Sequence, residues 1–178
     1  MTDSLPKKRP KYLLDSNVFI EANRRYYAFD LCPGFWESLS IYHSKDLICS
    51  IDRVKTIEFA KGHDDLKEWA ESKISKEFFV PSGEEDVQAS YAVAMQWVQN
   101  QGRFYPFAKT EYAESVDGWL IAYAKAKGMI LVTHEEPAPE SKKDVKMPDV
   151  CNAIGVQYVN TFDMLRALGT KFILKKAK

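Results

Sequence analysis

The stretch SVDGWLIAYAKAKGMILVTHEE, residues 115–136, decides the fold class of this chain. Its first half predicts a helix that Ser115 caps and Gly128 ends. Its second half, Met129 to Thr133, is a continuous apolar run of the kind found in strands that are buried on both faces. A helix that leads directly into such a strand is typical of α/β proteins, in which helices cover a parallel sheet.

Strands and helices alternate in the same way on both sides of this stretch. The apolar runs predict five strands, at residues 11–14, 46–49, 78–80, 129–133 and 156–159. Caps and helical spacing predict further helices: one after Asp15, one capped by Ser50, one around Leu66 and Trp69, one from a capping box at 82–85 to Gly102, and one capped by Thr161. We therefore predict a three-layer α/β/α domain with a central, mostly parallel sheet and a ligand site beyond the carboxyl ends of its strands.

The 178 residues fit a single domain. Residues 1–10 are polar and contain two prolines, which predicts a flexible N-terminal arm. Residues 11–170 form the predicted domain, and residues 171–178 form a basic C-terminal tail. Within the domain, PAPESKKDVKMP at residues 137–148 predicts a charged loop.

Charge and cysteine content restrict the function classes. Lys plus Arg and Asp plus Glu both number 25, so the net charge is zero and any binding to a polyanion must rely on local groups. Cys32, Cys49 and Cys151 lie far apart without a C-x-x-C pair, which argues against a disulfide framework and a zinc knuckle. Because the sequence has neither a long apolar span nor a secretory signal, we expect a cytoplasmic protein.

Four acidic residues are candidates for a site at the carboxyl edge of the sheet. Asp15 and Glu135 each follow a predicted strand, and the carboxyl ends of parallel strands lie on one side of a sheet. Asp117 opens the helix before the strand 129–133, and Glu58 lies on the helix after the second strand. Each also has a simpler explanation: Asp15 as a helix N-cap, Asp117 as a partner of the helix dipole, Glu135 as a turn residue and Glu58 as an exposed surface residue.

Several carboxylates on one rim raise one another's pKa unless a positive charge lies between them. A divalent cation would supply that charge. Oxygen ligands without a His or Cys cluster favour Mg²⁺ or Mn²⁺ over zinc, and Mg²⁺ in proteins commonly accompanies substrate phosphate. The pattern therefore indicates phosphate chemistry.

Three segments, LLDSNVFIEA, the stretch at 115–136 and VQYVNTFDML, occur in this order in PIN-domain nucleases, and the sequence resembles that family over residues 11–168. The resemblance implies that Asp15, Glu58, Asp117 and Glu135 are the catalytic, metal-binding carboxylates, with Asn17 and Thr133 as polar neighbours. Asp52 competes with Glu58 for the second acidic position. The chain departs from the pattern at Glu135, where the family commonly has Asp, and in a longer stretch between residues 61 and 106.

The resemblance further implies a Mg²⁺- or Mn²⁺-dependent ribonuclease that acts as the toxin of a toxin–antitoxin pair, with a small antitoxin protein and a second copy of the chain as further partners. We expect RNA to contact local basic side chains, namely Arg24, Arg25, Lys142, Lys143 and Lys146. Two alternatives stay open. One is a catalytically silent PIN-like module that binds protein or RNA. The other is a haloacid-dehalogenase-like phosphatase, although that class needs a second Asp where this chain has Asn17.

Overall fold

The computed structural model describes residues 11–174 and is built around a five-stranded sheet. The strands are β1 (Tyr12–Leu14), β2 (Ile48–Ile51), β3 (Phe79–Val80), β4 (Ile130–Val132) and β5 (Tyr158–Val159), and they lie in the order β3-β2-β1-β4-β5. All neighbouring strands are parallel, which confirms the predicted α/β class. The predicted arm at 1–10 and the last four residues of the predicted tail, 175–178, lie outside the described residues.

Eight α-helices flank this sheet within residues 11–174. They are α1 (Ser16–Glu21), α2 (Pro33–Ser44), α3 (Asp64–Ser72), α4 (Glu85–Asn100), α5 (Pro106–Glu114), α6 (Asp117–Lys127), α7 (Met147–Ile154) and α8 (Thr161–Ala167). A π-helical turn, Ala22–Tyr26, continues α1, and a second one, Val54–Glu58, follows β2. None of these helices is both long enough and apolar enough to cross a membrane.

Helix α6 and strand β4 form where the sequence predicts them, although the N-cap position of α6 is Val116 and not Ser115, whose hydroxyl accepts the N–H of Asp117 (3.3 Å). The central part of α6 is buried, and Gly128 ends the helix in the left-handed conformation with φ 63°. This conformation costs glycine little because it has no Cβ. The backbone N–H of Met129 then donates to the carbonyl of Ala124 (2.9 Å), which turns the chain into β4.

Phe19 anchors α1 in an aromatic cluster. Its ring centroid lies 5.6 Å from Phe59, 5.7 Å from Trp69, 6.0 Å from Phe78 and 6.4 Å from Phe79. These partners come from the chain after β2, from α3 and from the start of β3. The longer stretch after residue 61 therefore supplies much of the packing that fixes α1 beside the sheet.

The register of β1 and β4 determines which side chains meet at the carboxyl edge. Leu14 pairs with Val132, so the next residues, Asp15 and Thr133, lie side by side. The N–H of Asp15 donates to the carbonyl of Val132, and the N–H of Thr133 donates to the carbonyl of Val159, both at 3.0 Å. The edge is thus continuous across β1, β4 and β5.

Two predicted caps are wrong because the serine hydroxyls bind elsewhere. Ser50 lies within β2 and donates to the carbonyl of Leu14 (2.7 Å). Ser82 donates to Oδ1 of Asp52 (2.6 Å), and the N-cap position of α4 is Glu84, which makes no capping hydrogen bond through its side chain.

A further wrong cap is at α8, where Asn160 rather than Thr161 accepts the N–H of Asp163 (2.9 Å). Helices α5 and α7 were also not predicted, and for α2 the sequence indicated only an aromatic-rich loop and helix over 26–36 with a break at Pro33-Gly34, where the helix in fact begins. Helix α5 lies between α4 and α6, and α7 begins at Met147, so the predicted loop at 137–148 ends at Lys146. Both helices have proline in the first two positions, where the missing N–H has no helical partner to lose.

Candidate active site

Asp15 lies at the centre of the carboxyl edge with its side chain fully buried (0% exposed). Thr133 Oγ1 donates to Asp15 Oδ2 at 3.0 Å, and Ser16 Oγ donates to Oδ1 at 3.1 Å. Asp15 occupies the N-cap position of α1, but its side chain makes no capping hydrogen bond. Within residues 11–174 it forms no ion pair, so this buried carboxyl group has hydrogen-bond donors but no positive partner.

The pKa of Asp15 rises from its ordinary value to about 6, mainly because burial disfavours the charged form. Hydrogen bonds from Thr133 and Ser16 lower this pKa, and the charge of Glu135 raises it further. The environment thus disfavours a negative charge on Asp15 when no cation is bound.

Asp117 lies in the first turn of α6 and is partly buried; its N–H donates to Ser115 Oγ (3.3 Å). Burial raises the pKa of Asp117 to about 8, and the charges of Asp15, Glu135 and Glu58, in this order, raise it as well. The fold therefore brings the four carboxylates named from the sequence into one electrostatic site.

Glu135 and Glu58 differ from the two aspartates because each has a positive partner. Glu135 Oε2 accepts the N–H of Met147 (2.8 Å) at the start of α7, and its Oε1 lies 3.6 Å from Lys146 Nζ. Glu58 is the last residue of the second π-helical turn, and its Oε1 lies 2.9 Å from Lys61 Nζ. The site therefore combines two partnered glutamates with two aspartates that have no cationic partner in the described chain.

Asp52, the competitor of Glu58, is hydrogen-bonded to residues outside this group. Its Oδ1 accepts hydrogen bonds from Ser82 Oγ (2.6 Å) and from the N–H of Arg53 (2.9 Å). It is also absent from the charges that raise the pKa of Asp117, whereas Glu58 is one of them. Glu58, and not Asp52, is therefore the second acidic residue whose charge acts on Asp117.

The two remaining polar residues named from the sequence lie beside Asp15. Thr133 Oγ1 donates to Asp15 and accepts the N–H of Glu135 (3.2 Å), so one hydroxyl connects two of the acids. Asn17 lies in the first turn of α1 and is partly buried.

The donor set fits a hard divalent cation, since every group is a carboxylate or hydroxyl oxygen and two buried carboxyls have raised pKa values. Among residues 11–174, however, no three Asp, Glu, His or Cys side chains are arranged so that they could hold one metal ion together. Glu135 and Glu58 bind neighbouring N–H and ammonium groups instead. Their side chains would have to turn toward the aspartates to share a cation.

A cleft of about 190 Å³ opens beside the acids. Its lining residues include Asp117 and Glu135 as well as Lys143 and Lys146. Lys142 is exposed in the same loop. Arg24 and Arg25 lie apart from this cleft, exposed on the first π-helical turn, where Arg25 pairs with Glu21 (2.8 Å).

Tyr112 is a cleft residue that the sequence did not indicate. It lies on α5, and its buried hydroxyl makes no hydrogen bond within the described chain. Burial raises its pKa well above the ordinary value, and the charge of Asp117 adds to this effect. The spacing of the sequence could not reveal it, because α5 itself was not predicted.

Comparison with solved structures agrees with this architecture. The crystal structure of FitAcB from Neisseria gonorrhoeae matches with a TM-score of 0.52 and 20% sequence identity, over 85% of this chain and 98% of that chain. At this identity the similarity concerns the fold alone, which is PIN-like. No curated protein matches this chain by sequence.

A family profile described as a domain of unknown function, DUF4411, matches residues 12–172. The match includes all five strands, all eight helices and the four carboxylates of the site. The chain therefore belongs to the DUF4411 family.

Proposed function

We propose that this protein is a Mg²⁺- or Mn²⁺-dependent endoribonuclease whose metal ligands include Asp15, Glu58, Asp117 and Glu135. The observation that carries the proposal is the grouping of the four carboxylates: burial raises the pKa of Asp117 to about 8, and the charges of Asp15, Glu135 and Glu58 raise it further. Because Asp15 and Asp117 form no ion pair within residues 11–174, a bound cation would supply the positive charge that they lack.

The bound cation would supply an activated water and stabilise the charge that develops on the phosphate. Asp15 and Asp117 bind it at the carboxyl edge, and Thr133 orients Asp15 through its hydrogen bond to Oδ2. Lys146 lowers the pKa of Asp117 and lies at the cleft, where it can also meet a phosphate oxygen. This arrangement requires no side-chain nucleophile.

RNA is the proposed substrate because of the resemblance to PIN-domain nucleases and the lysines at the cleft. The same resemblance supports a toxin role, in which a small antitoxin silences the nuclease. The PIN-like fold agrees with both, but one fold can host several functions, so the acids carry the argument.

The test is cleavage of single-stranded RNA by the wild type and by Asp15→Asn in Mn²⁺, in Mg²⁺ and in chelator. We expect the wild type to cut only with metal and Asp15→Asn to lose at least about a hundredfold in rate, because its neutral amide binds a cation poorly. A folded wild type that cuts no RNA in either metal would leave a silent binding module as the better description.

A matched pair of variants tests the second acidic position. Glu58→Gln should lose most of the activity, whereas Asp52→Asn should keep it, because Asp52 is directed toward Ser82. Melting temperatures in chelator show whether either variant is misfolded. The reverse pattern would exchange the two assignments.

A further inference from the structure

Two aromatic rings are exposed together at the start of α5. Tyr105 is 44% exposed and Phe107 is 50% exposed, and their ring centroids are 5.7 Å apart with an interplanar angle of 35°. Single exposed apolar residues are ordinary in folded proteins. Two exposed aromatic rings in mutual contact form a surface on which a flat apolar group can stack.

The backbone beneath these rings is fixed. The N–H of Tyr105 donates to the carbonyl of Lys142 (2.9 Å), and Pro106 opens α5 directly afterwards. Within the helix, the hydroxyl of Thr110 donates to the carbonyl of Pro106 (3.2 Å). The aromatic pair is thus tied to the loop that carries the exposed lysines.

The same helix leads from the aromatic pair to the acids. Ala108, Glu111 and Tyr112 line the cleft beside Asp117 and Glu135. Phe107 directly precedes the lining residue Ala108, and Tyr105 is hydrogen-bonded to Lys142, which directly precedes the lining residue Lys143, so the aromatic pair adjoins the cleft along both segments. The buried Tyr112 hydroxyl, which has no hydrogen-bond partner in the described chain, lines the cleft and offers a polar contact to a ligand.

We propose that Tyr105 and Phe107 form a base-stacking platform that selects single-stranded RNA for the acidic site. The proposal rests on the proposed nuclease function and adds the class of substrate. Bases of a single strand can stack on exposed aromatic rings, whereas bases in a duplex are already stacked and paired.

The charges of this chain attract a polyanion only weakly, so base stacking must supply much of the binding free energy. The chain has no net charge, and Glu111 and Asp144 lie in the same cleft as Lys143 and Lys146. Phosphate contacts alone therefore provide little affinity for a polyanion. Lys142 and Lys143 are exposed and form no ion pair among residues 11–174, so they can hold the backbone while the rings hold the bases. This combination favours RNA over a protein partner on this surface.

The experiment measures binding of a single-stranded oligoribonucleotide of about 12 nucleotides that contains 2-aminopurine, in chelator, so that no cleavage occurs. The variant Tyr105→Ala/Phe107→Ala should bind about tenfold or more weakly and should lose the fluorescence quenching that stacking causes. Tyr105→Phe/Phe107→Tyr should keep both. Leu31→Ala, at an apolar side chain that is 77% exposed elsewhere, controls for the loss of apolar surface.

Unchanged affinity and quenching in the alanine variant would overturn the platform, and so would a wild type that binds no single-stranded RNA. If a small protein partner loses affinity for the alanine variant while RNA does not, the surface is a protein contact and the proposal is wrong. The nuclease proposal is tested separately. A wild type that binds RNA through the rings but cuts no RNA in Mn²⁺ would support the platform and contradict the nuclease proposal. With a cutting wild type, the alanine variant should show a raised KM and a nearly unchanged kcat, whereas an unchanged KM would contradict the platform.

Discussion

Asp15 and Asp117 are the two residues whose protonation defines the metal-free site. Their pKa values rise to about 6 and about 8, in both cases mainly through burial. At neutral pH Asp117 of the metal-free protein therefore keeps most of its proton, whereas Asp15 does so only below about pH 6, although both groups are charged in the unfolded chain. A cation that binds there competes with these protons.

This competition predicts the pH dependence of stability in chelator. Because both folded-state pKa values lie above the ordinary Asp value of 3.8, the native state binds more protons than the unfolded state between about pH 4 and pH 8. The free energy of unfolding should therefore fall as the pH rises through this window, by at least about 1 kcal/mol, or roughly 2–4 °C in Tm. Thermal unfolding at pH 5 and pH 8 measures it, and Asp117→Asn should flatten the slope. A wild-type stability that rises with pH would contradict the charge clustering.

Thr133 is predicted to influence metal binding through Asp15. Its hydrogen bond lowers the pKa of Asp15, so Thr133→Val should raise that pKa and shift Mn²⁺ binding to higher pH. At pH 7 we expect an affinity about tenfold lower than in the wild type. Mn²⁺ titrations at several pH values measure the shift. Thr110→Val, which removes a hydroxyl that bonds only to the carbonyl of Pro106, is the control and should titrate as the wild type does.

At the scale of elements, the sequence predicted those parts that local chemistry specifies. The apolar run of β4 and the left-handed Gly128 need no distant partner, and both are found where they were predicted. The caps at Ser50 and Ser82 failed because their hydroxyls bind Leu14 and Asp52, which lie about 30 or more residues away in sequence. Local spacing cannot reveal such long-range partners.

Helix α5 shows the same limit. It is nine residues long, with only Ala108 and Tyr112 buried, so its apolar pattern is weak. Its start is fixed by the bond from Tyr105 to the carbonyl of Lys142, a contact between distant segments. The cleft wall and the aromatic pair therefore became visible only in the folded chain.

The loop between β4 and α7 is predicted to contact the RNA backbone. Lys142→Ala/Lys143→Ala should weaken binding of single-stranded RNA several-fold and lower the slope of log affinity against log salt by about one. The cause is the loss of two exposed ammonium groups close to the cleft. Lys67→Ala/Lys73→Ala, in α3 and at its C-cap, removes the same charge elsewhere and serves as the control. Equal salt slopes for the two double variants would exclude the loop from the RNA surface.

At the scale of the whole molecule, the sequence positions of two acidic residues after predicted strands indicated that both lie at the carboxyl edge of the sheet. Asp15 follows β1 and Glu135 comes soon after β4, so a parallel sheet brings them to one edge. Glu58 came from the family resemblance, and only the folded chain shows it among the charges that act on Asp117. The pairing of the glutamates with Lys61 and Lys146 was not visible in the sequence, because it depends on the side-chain directions in the fold.

The chain as a whole has no net charge, whereas the candidate site is acidic. Four of the 25 acidic residues act on one another at the carboxyl edge, and basic residues elsewhere balance them. We infer that protons limit the repulsion at this edge in the metal-free state and that a cation replaces them on binding. The central claim therefore concerns charge at the site and does not depend on the fold alone.

Asp117→Asn tests this claim most directly, with Asp144→Asn as a control that removes a charge from the same cleft. The measurement is paired: the melting temperature in chelator and the rate of single-stranded RNA cleavage in Mn²⁺. The account predicts that Asp117→Asn is at least as stable as the wild type in chelator, because a neutral amide never carries the charge that burial and the neighbouring carboxylates disfavour, and that it cuts RNA at least about a hundredfold more slowly. Asp144→Asn should cut at the wild-type rate or slightly faster. An Asp117→Asn protein that is less stable in chelator yet cuts at the wild-type rate would contradict the account, because Asp117 would then act as a helix-dipole partner and not as a metal ligand.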